Sequence, residues 1–264
     1  MDLSIDISEQ AGVRYLHFGS EWVQGAMRIH RPWALELAYT REMMAGLLLR
    51  DGLAEPGADG KPHAAAAWPG EVLIIGLGAA SLAKFVHRHC PQARITVVEI
   101  APAVVAAARQ FFKLPMEDER FRIEIGCGAR WLETDPTRYD YILVDGFDQH
   151  ARAGALDTLP FYQQARQRLS EQGLLAVNLF GRARGFKASV GRLLQAFDDR
   201  VLAFPSCDSG NVVAFAAAGE VIARPLSELR ERARVLKKAT SLDLLSTISR
   251  LEASGNVPGG ILQL

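Results

Sequence analysis

Residues 71–81, EVLIIGLGAAS, give the clearest indication of the fold of this 264-residue chain. A continuous apolar run ends at Gly76, and small residues lead from there into a segment rich in helix formers. Such a run is typical of a strand that is buried on both faces of a parallel sheet. RITVVEI over 94–100 repeats the pattern after the intervening helix. This alternation of strand and helix predicts an α/β fold.

The pattern continues downstream. Further strands are expected at FRIEI (121–125), YDYILVD (139–145) and GLLAVNLF (173–180), with helices between them. Five such strands in succession predict a doubly wound, mostly parallel sheet. Upstream, alternating polar and apolar residues through about His30 predict two or three short strands. Residues 34–49 contain good helix formers throughout and predict one helix.

These patterns divide the chain into a small β-strand domain over residues 1–32 and a larger α/β domain over 33–264. Within the larger domain, residues 51–70 collect glycines and prolines around four consecutive alanines. That composition predicts an exposed connecting loop.

Charge and cysteine content exclude several classes of protein. Thirty Lys and Arg residues balance thirty Asp and Glu residues, so nucleic acid and anionic membranes are not the expected partners, and a small molecule is favoured. Three widely spaced cysteines indicate neither a disulfide framework nor a zinc site, and no metal is expected. No apolar run reaches the roughly 18 residues of a membrane span, and the first residues lack a secretory-signal pattern. We therefore expect a cytoplasmic protein.

Small or acidic residues follow the predicted strands. Gly76 and Gly78 form a turn whose backbone N–H groups can face a ligand, although a purely structural tight turn uses the same residues. Glu99 ends the next strand, where an acidic side chain can accept hydrogen bonds from both hydroxyls of a ribose. Because the carboxyl ends of parallel strands meet at one edge of the sheet, we predict a site for a nucleoside-containing ligand there.

Two carboxylates follow the fourth strand. Asp145 and Asp148 lie three residues apart at its carboxyl end, next to a flexible loop. In that position they can face a cation from two sides.

The order of these motifs resembles that of the polyamine aminopropyltransferases, the spermidine synthase family. The resemblance runs from about residue 19 to residue 217. It is carried by GSEWVQGAMRI (19–29), VLIIGLGAASLAKFV (72–86), VVEI (97–100), YDYILVDGFD (139–148) and LPFYQQARQRLSEQGLLAVN (159–178). It implies a Rossmann-like class I methyltransferase fold behind a small N-terminal β-hairpin domain, and a homodimer.

Members of this family move an aminopropyl group from decarboxylated S-adenosylmethionine to an amine such as putrescine. The resemblance implies that Asp145 is the catalytic base, that Asp148 helps to bind the amine and that Tyr39 lies near it. It also implies that Glu99 binds the ribose and that Gln24 contacts the nucleoside. The sulfonium donor is then a cosubstrate, and no tightly bound cofactor is expected.

Several positions depart from the family pattern. Ala79 stands where the family has an aspartate for the aminopropyl ammonium, and Cys127 stands where an aspartate meets the adenine amino group. Thr40 and Arg41 follow Tyr39 in place of His and Glu. These departures leave two alternatives open. One is an S-adenosylmethionine-dependent methyltransferase, whose donor keeps its carboxylate, and the other is a non-catalytic nucleoside-binding or assembly protein.

Overall fold

The computed structural model describes residues 4–51, 68–148, 150, 152–181, 185–207 and 210–264. The strands are β1 (Asp6–Gln10), β2 (Val13–His17), β3 (Val23–Arg28), β4 (Glu71–Ile75), β5 (Arg94–Glu99), β6 (Phe121–Ile125), β7 (Tyr139–Val144), β8 (Leu169–Phe180), β9 (Val201–Ala203), β10 (Asn211–Ala217), β11 (Ala223–Pro225) and β12 (Ile261–Gln263). The helices are α1 (Ala38–Met43), α2 (Gly46–Leu49), α3 (Ser81–His89), α4 (Pro102–Phe111), α5 (Gly128–Thr134), α6 (Leu159–Arg168), α7 (Phe186–Ala196), α8 (Leu226–Thr240) and α9 (Leu245–Ala253).

A seven-stranded sheet forms the centre of the molecule, in the order β6-β5-β4-β7-β8-β10-β9. Strands β4 to β8 pair in parallel, and β10 runs antiparallel to both β8 and β9. The chain order reverses between β4 and β7, which opens a crevice at their carboxyl ends. The predicted doubly wound, mostly parallel sheet is confirmed. The first three strands form a separate antiparallel sheet in the order β1-β2-β3, as the sequence pattern predicts.

Both faces of the inner strands β4, β5, β7 and β8 are buried, which explains the continuous apolar runs in these strands. Along β4, Val72 and Ile74 belong to one hydrophobic cluster, and Leu73 and Ile75 belong to another on the opposite face. Residues of α5, α6 and α7 complete the second cluster. The first cluster includes residues of α1 to α4, α8 and α9, together with side chains of the N-terminal sheet. The layers thus fix the carboxyl ends of β4, β5 and β7 between packed helices.

The single helix predicted over residues 34–49 is wrong. The chain forms two short helices, α1 and α2, and Leu37 before them is extended. The hydroxyl of Tyr141 on β7 donates to the carbonyl oxygen of Met43, which a continuous helix would use for its own hydrogen bond. Gly46 lies against the same tyrosine ring, where a Cβ atom would overlap it. Packing against the sheet therefore breaks the helix.

The exposed loop predicted over residues 51–70 needs a correction at its end. Trp68 is buried, and its ring packs against that of Tyr141 in a tilted arrangement with 5.0 Å between the ring centroids. Residues 52–67 lie outside the described residues. The domain boundary at residue 32 stays a prediction, although Leu16 and Met27 of the N-terminal sheet share a hydrophobic cluster with the larger unit. Among the described residues, no helix combines the length and apolar character needed to cross a bilayer.

Candidate active site

A cavity of 510 Å³ lies at the carboxyl ends of the parallel strands. It is lined by the ends of β4 and β5, by the segment that follows β7, by the turn before α5 and by β3 of the N-terminal sheet. Most of the residues that the sequence singled out contribute to this lining: Gln24, Gly76, Gly78, Glu99, Asp145 and Asp148. The remaining one, Tyr39, lies behind Asp145 and contacts its carboxylate. The structure therefore brings all seven residues to one place.

The turn after β4 needs glycine for two reasons. Gly76 has φ +95° and Gly78 has φ +49°, in the region that side chains disfavour. A Cβ atom at Gly76 would also overlap the backbone carbonyl of Asp145. The ends of β4 and β7 thus approach each other as closely as a glycine allows, at the point where the strand order reverses.

Glu99 connects the glycine turn to the end of β5. Its side chain is buried, and its Oε2 accepts a hydrogen bond from the Leu77 backbone N–H at 2.8 Å. Its Oε1 accepts one from the Ala101 backbone N–H at 2.9 Å. Burial raises the pKa of Glu99, and these backbone N–H groups partly offset that effect. A carboxylate oxygen can accept more than one hydrogen bond, so Glu99 keeps acceptor capacity for ligand hydroxyls.

The N-terminal sheet reaches the site through β3. A Cβ atom at Gly78 would lie 3.0 Å from the backbone oxygen of Gln24, so β3 passes directly over the glycine turn. Gly25 faces the buried Ala79, and a Cβ atom at Gly25 would lie 2.6 Å from the Ala79 backbone nitrogen. This contact between two small residues places Gln24 at the cavity wall.

Two hydrogen bonds hold the carboxylate of Asp145, which is half-buried just after β7. The Tyr39 hydroxyl donates to Oδ2 at 3.1 Å, and the Asn178 amide Nδ2 donates to Oδ1 at 2.8 Å. Burial raises the pKa of Asp145 to about 6, against the lowering effect of the bonds from Asn178 and Tyr39. Burial and the neighbouring Asp145 also raise the pKa of Tyr39 well above its usual value. At neutral pH Asp145 is therefore an ionised carboxylate, and Tyr39 is a neutral hydroxyl that donates a hydrogen bond to it.

Asp148 is exposed and organises its own loop. Its Oδ1 accepts hydrogen bonds from the backbone N–H groups of His150 at 2.8 Å and Arg152 at 2.9 Å. The backbone N–H of Asp148 donates in turn to the Arg152 carbonyl oxygen at 3.0 Å. His150 and Arg152 also line the cavity, so both residues form part of its wall together with Asp148.

Comparison with known proteins identifies the family. A profile described as the spermine/spermidine synthase domain matches residues 60–178. A protein of Neisseria meningitidis named polyamine aminopropyltransferase is 35% identical over 250 residues, which cover 95% of this chain and 89% of that protein. The chain belongs to the polyamine aminopropyltransferase family. The resemblance seen in the sequence is confirmed, and the protein is a transferase of this family.

Solved structures support the fold. A spermidine synthase in complex with the transition-state analogue AdoDATO covers 94% of this chain and 83% of its own length, with a TM-score of 0.63 and 20% identity. Human methyltransferase-like protein 13 in complex with SAH covers 78% of this chain and 93% of its own, with a TM-score of 0.64 and 25% identity. The predicted class I methyltransferase-like fold of this aminopropyltransferase-family member is confirmed.

The departures from the family pattern have different structural contexts. Ala79 packs against β3 and Cys127 lines the cavity, so the first is enclosed by protein and the second faces the site. Thr40 is buried and donates to the Leu37 carbonyl oxygen at 2.7 Å. Arg41 is exposed on α1 and does not line the cavity. The arginine therefore adds no positive charge to the wall of this family member's site.

Sequence reasoning missed Asn178 as a partner of Asp145. Its signal was present, because a single polar residue interrupts the apolar run of β8, and a buried polar side chain needs a hydrogen-bond partner. Phe18 and Arg152 line the cavity without any sequence pattern that separates them from ordinary surface or core residues.

Proposed function

We propose that this protein moves an aminopropyl group from decarboxylated S-adenosylmethionine to an amine acceptor such as putrescine. One observation carries the proposal: the carboxylate of Asp145 lines the same cavity as Glu99 and the glycine turn. A cation-binding base and a ribose-binding acid thus line one cavity. The curated relative with 35% identity is named for this class of reaction.

The donor is held at its nucleoside end. Glu99 accepts hydrogen bonds from the ribose hydroxyls, and Gly76 and Gly78 allow the donor to approach the backbone closely. Gln24 contacts the nucleoside from β3. Cys127 is a poor hydrogen-bond acceptor for the adenine amino group, so donor affinity rests mainly on the ribose contacts and on apolar packing.

The acceptor must lose a proton before it can react. An aliphatic amine with a pKa of about 10 is almost fully protonated at neutral pH and has no lone pair for attack. Asp145 binds this ammonium and takes its proton, and a pKa raised toward neutral makes a carboxylate a better base for that step. The amine nitrogen then forms a bond to the carbon next to the sulfonium. The carbon–sulfur electron pair goes to sulfur, and neutral methylthioadenosine leaves.

Two neighbours assist Asp145. The Tyr39 hydroxyl fixes Oδ2 by donating to it, which orients the carboxylate toward the amine. Asp148 uses Oδ1 for the backbone of its loop, so Oδ2 is the oxygen that binds an amino group of the acceptor.

The protein is further proposed to act as a cytoplasmic homodimer without a tightly bound cofactor. The cytoplasmic location rests on the sequence, because three widely spaced cysteines, Cys90, Cys127 and Cys207, are typical of a protein from a reducing compartment. The dimer follows from the family resemblance and is tested by the mass of the protein in solution.

A second candidate is methyl transfer from S-adenosylmethionine. The specific observation in its favour is the absence of a carboxylate at Ala79 together with Arg152 in the cavity wall, since a guanidinium can pair with the donor carboxylate. The similarity to human methyltransferase-like protein 13 adds support.

Titration calorimetry with both donors tests the proposal, followed by product analysis with putrescine. We expect tighter binding of the decarboxylated donor and release of methylthioadenosine. Asp145→Asn should bind the donor nearly unchanged and give no product. Preference for the carboxylated donor with methylated product would replace the proposal by methyl transfer. Binding of neither donor would leave the non-catalytic alternative.

A further inference from the structure

A chain of amide hydrogen bonds extends from β10 to the carboxylate of Asp145. Asn178 on β8 is 4% exposed, and its Nδ2 donates to Asp145 Oδ1 at 2.8 Å. The Oδ1 of Asn178 accepts from Nδ2 of Asn211 on β10 at 2.9 Å. The two asparagines lie on adjacent antiparallel strands, two register positions apart, because Val213 pairs with Asn178.

The direction of this chain follows from its chemistry. An ionised carboxylate only accepts hydrogen bonds, so the amide nitrogen of Asn178 must face Asp145. The amide oxygen then faces Asn211, which supplies the matching donor. If Asn178 turned its amide over, an oxygen would meet the carboxylate, and the nitrogen of Asn178 would meet the nitrogen of Asn211. With the amide of Asn211 oriented as observed, Asn178 keeps both hydrogen bonds only when its nitrogen faces the carboxylate.

We propose that Asn178 and Asn211 form a positioning relay that keeps the carboxylate of Asp145 ionised and fixed in orientation toward the cavity. Asn178 acts by direct donation, and Asn211 acts through Asn178. The relay deepens the proposed function, on which its kinetic consequence rests. Its effect on the ionisation of Asp145 does not depend on which group is transferred.

The other titratable groups around Asp145 come from several elements. Tyr39 of α1 donates to it, and Cys207 lies beside that tyrosine. Further titratable groups line the same cavity: Glu99, Cys127, Asp148, His150 and Arg152. Burial raises the pKa of Asp145, and the bond from Asn178 is the largest effect that opposes it. Loss of this donor should therefore raise the pKa further.

Titration of the Asp145 side-chain carbon by ¹³C NMR tests the relay, with Asp145→Asn to assign the signal. Asn178→Leu removes the donor at similar volume, and we expect the midpoint to rise by about one pKa unit. Asn211→Leu should shift it in the same direction by a smaller amount, because Asn211 acts through Asn178. Asn178→Asp keeps the shape but adds a second carboxylate, so its coupled titration should end at a higher pH still. Asn256→Asp, at an exposed site outside the cavity, is the matched control and should not move the midpoint.

The acid limb of the pH profile of kcat should move with the NMR midpoint in each variant. If Asn178→Leu folds and the Asp145 midpoint is unchanged in it, the relay is overturned. If Asn178→Leu does not fold, an unchanged midpoint in both folded Asn211→Leu and folded Asn178→Asp overturns it instead. A shifted midpoint in a protein that transfers no aminopropyl group would support the relay and refute the proposed function, so the two failures are distinguishable.

Discussion

Replacing Asp145 by asparagine should stabilise the folded protein at neutral pH while it destroys catalysis. Burial raises the pKa of this carboxyl from the usual 3.8 to about 6, which means that the folded state disfavours the ionised form. The folded protein therefore binds more protons than the unfolded chain between these two values, and its stability falls as the pH rises through that interval. Above about pH 6 the full free-energy cost of holding an ionised carboxylate at this position is present, and the asparagine variant does not have this cost.

The size of the effect follows from the pKa difference. One pKa unit corresponds to about 1.4 kcal/mol, so a shift of this size is equivalent to about 3 kcal/mol. Asp145 is half-buried at the cavity wall and solvent screens part of the penalty, so we expect a gain of about 2 kcal/mol. Asparagine keeps one oxygen to accept a hydrogen bond from Asn178 or Tyr39, which limits the loss of contacts.

Urea unfolding at about pH 8 and about pH 4 measures this difference. Asp145→Asn should be more stable than the natural protein at the higher pH and nearly equal to it at the lower. Asp6→Asn, on the exposed side of β1, is the control for removing a carboxylate at the surface. A stability difference that is the same at both pH values would contradict a penalty from the ionised Asp145 carboxylate, as would a less stable variant at about pH 8.

Three further substitutions test other parts of the site and core. Glu99→Gln places an amide N–H against one of the two backbone N–H groups that Glu99 accepts from. Calorimetry should therefore show the affinity for decarboxylated S-adenosylmethionine reduced by about tenfold to a hundredfold, and an unchanged affinity would remove Glu99 from the site. Gly76→Ala should lower the free energy of unfolding by at least about 2 kcal/mol in urea, because φ is +95° and the new Cβ overlaps backbone; a neutral result would contradict the geometry. Burial lowers the pKa of Lys84 to about 7, so the stability of the natural protein should rise between about pH 7 and pH 10. Lys84→Met should abolish this rise and the exposed Lys187→Met should keep it; a persisting rise in Lys84→Met would exclude the buried amine as its source.

The central sheet could be predicted because its cause is local. Burial on both faces explains why the last four residues of β4, Val72 to Ile75, are apolar. The glycine turn after them follows from the close approach of Asp145. The positions of Glu99 and Asp145 then follow from the rule that parallel strands end at one edge.

Contacts between distant segments explain what the sequence pattern missed. The helix predicted over residues 34–49 breaks because Tyr141, about a hundred residues away in the chain, bonds to the Met43 carbonyl oxygen. In the sequence Asn178 is an isolated polar residue, and only the pairing of β10 with β8 brings Asn211 within hydrogen-bond distance of it. One carboxylate oxygen of Asp148 accepts hydrogen bonds from the backbone of its own loop, and the spacing of Asp145 and Asp148 does not predict this. Such choices depend on which partners the fold brings together.

The identity of the transferred group is decided most directly by a competition between the two donors. The natural protein is incubated with equal amounts of decarboxylated and ordinary S-adenosylmethionine and a mixture of amines, and the nucleoside products are separated by mass. Methylthioadenosine together with an aminopropylated amine is the predicted result, and both should disappear in Asp145→Asn. Accumulation of S-adenosylhomocysteine with a methylated product, or equal turnover by the variant, would contradict it.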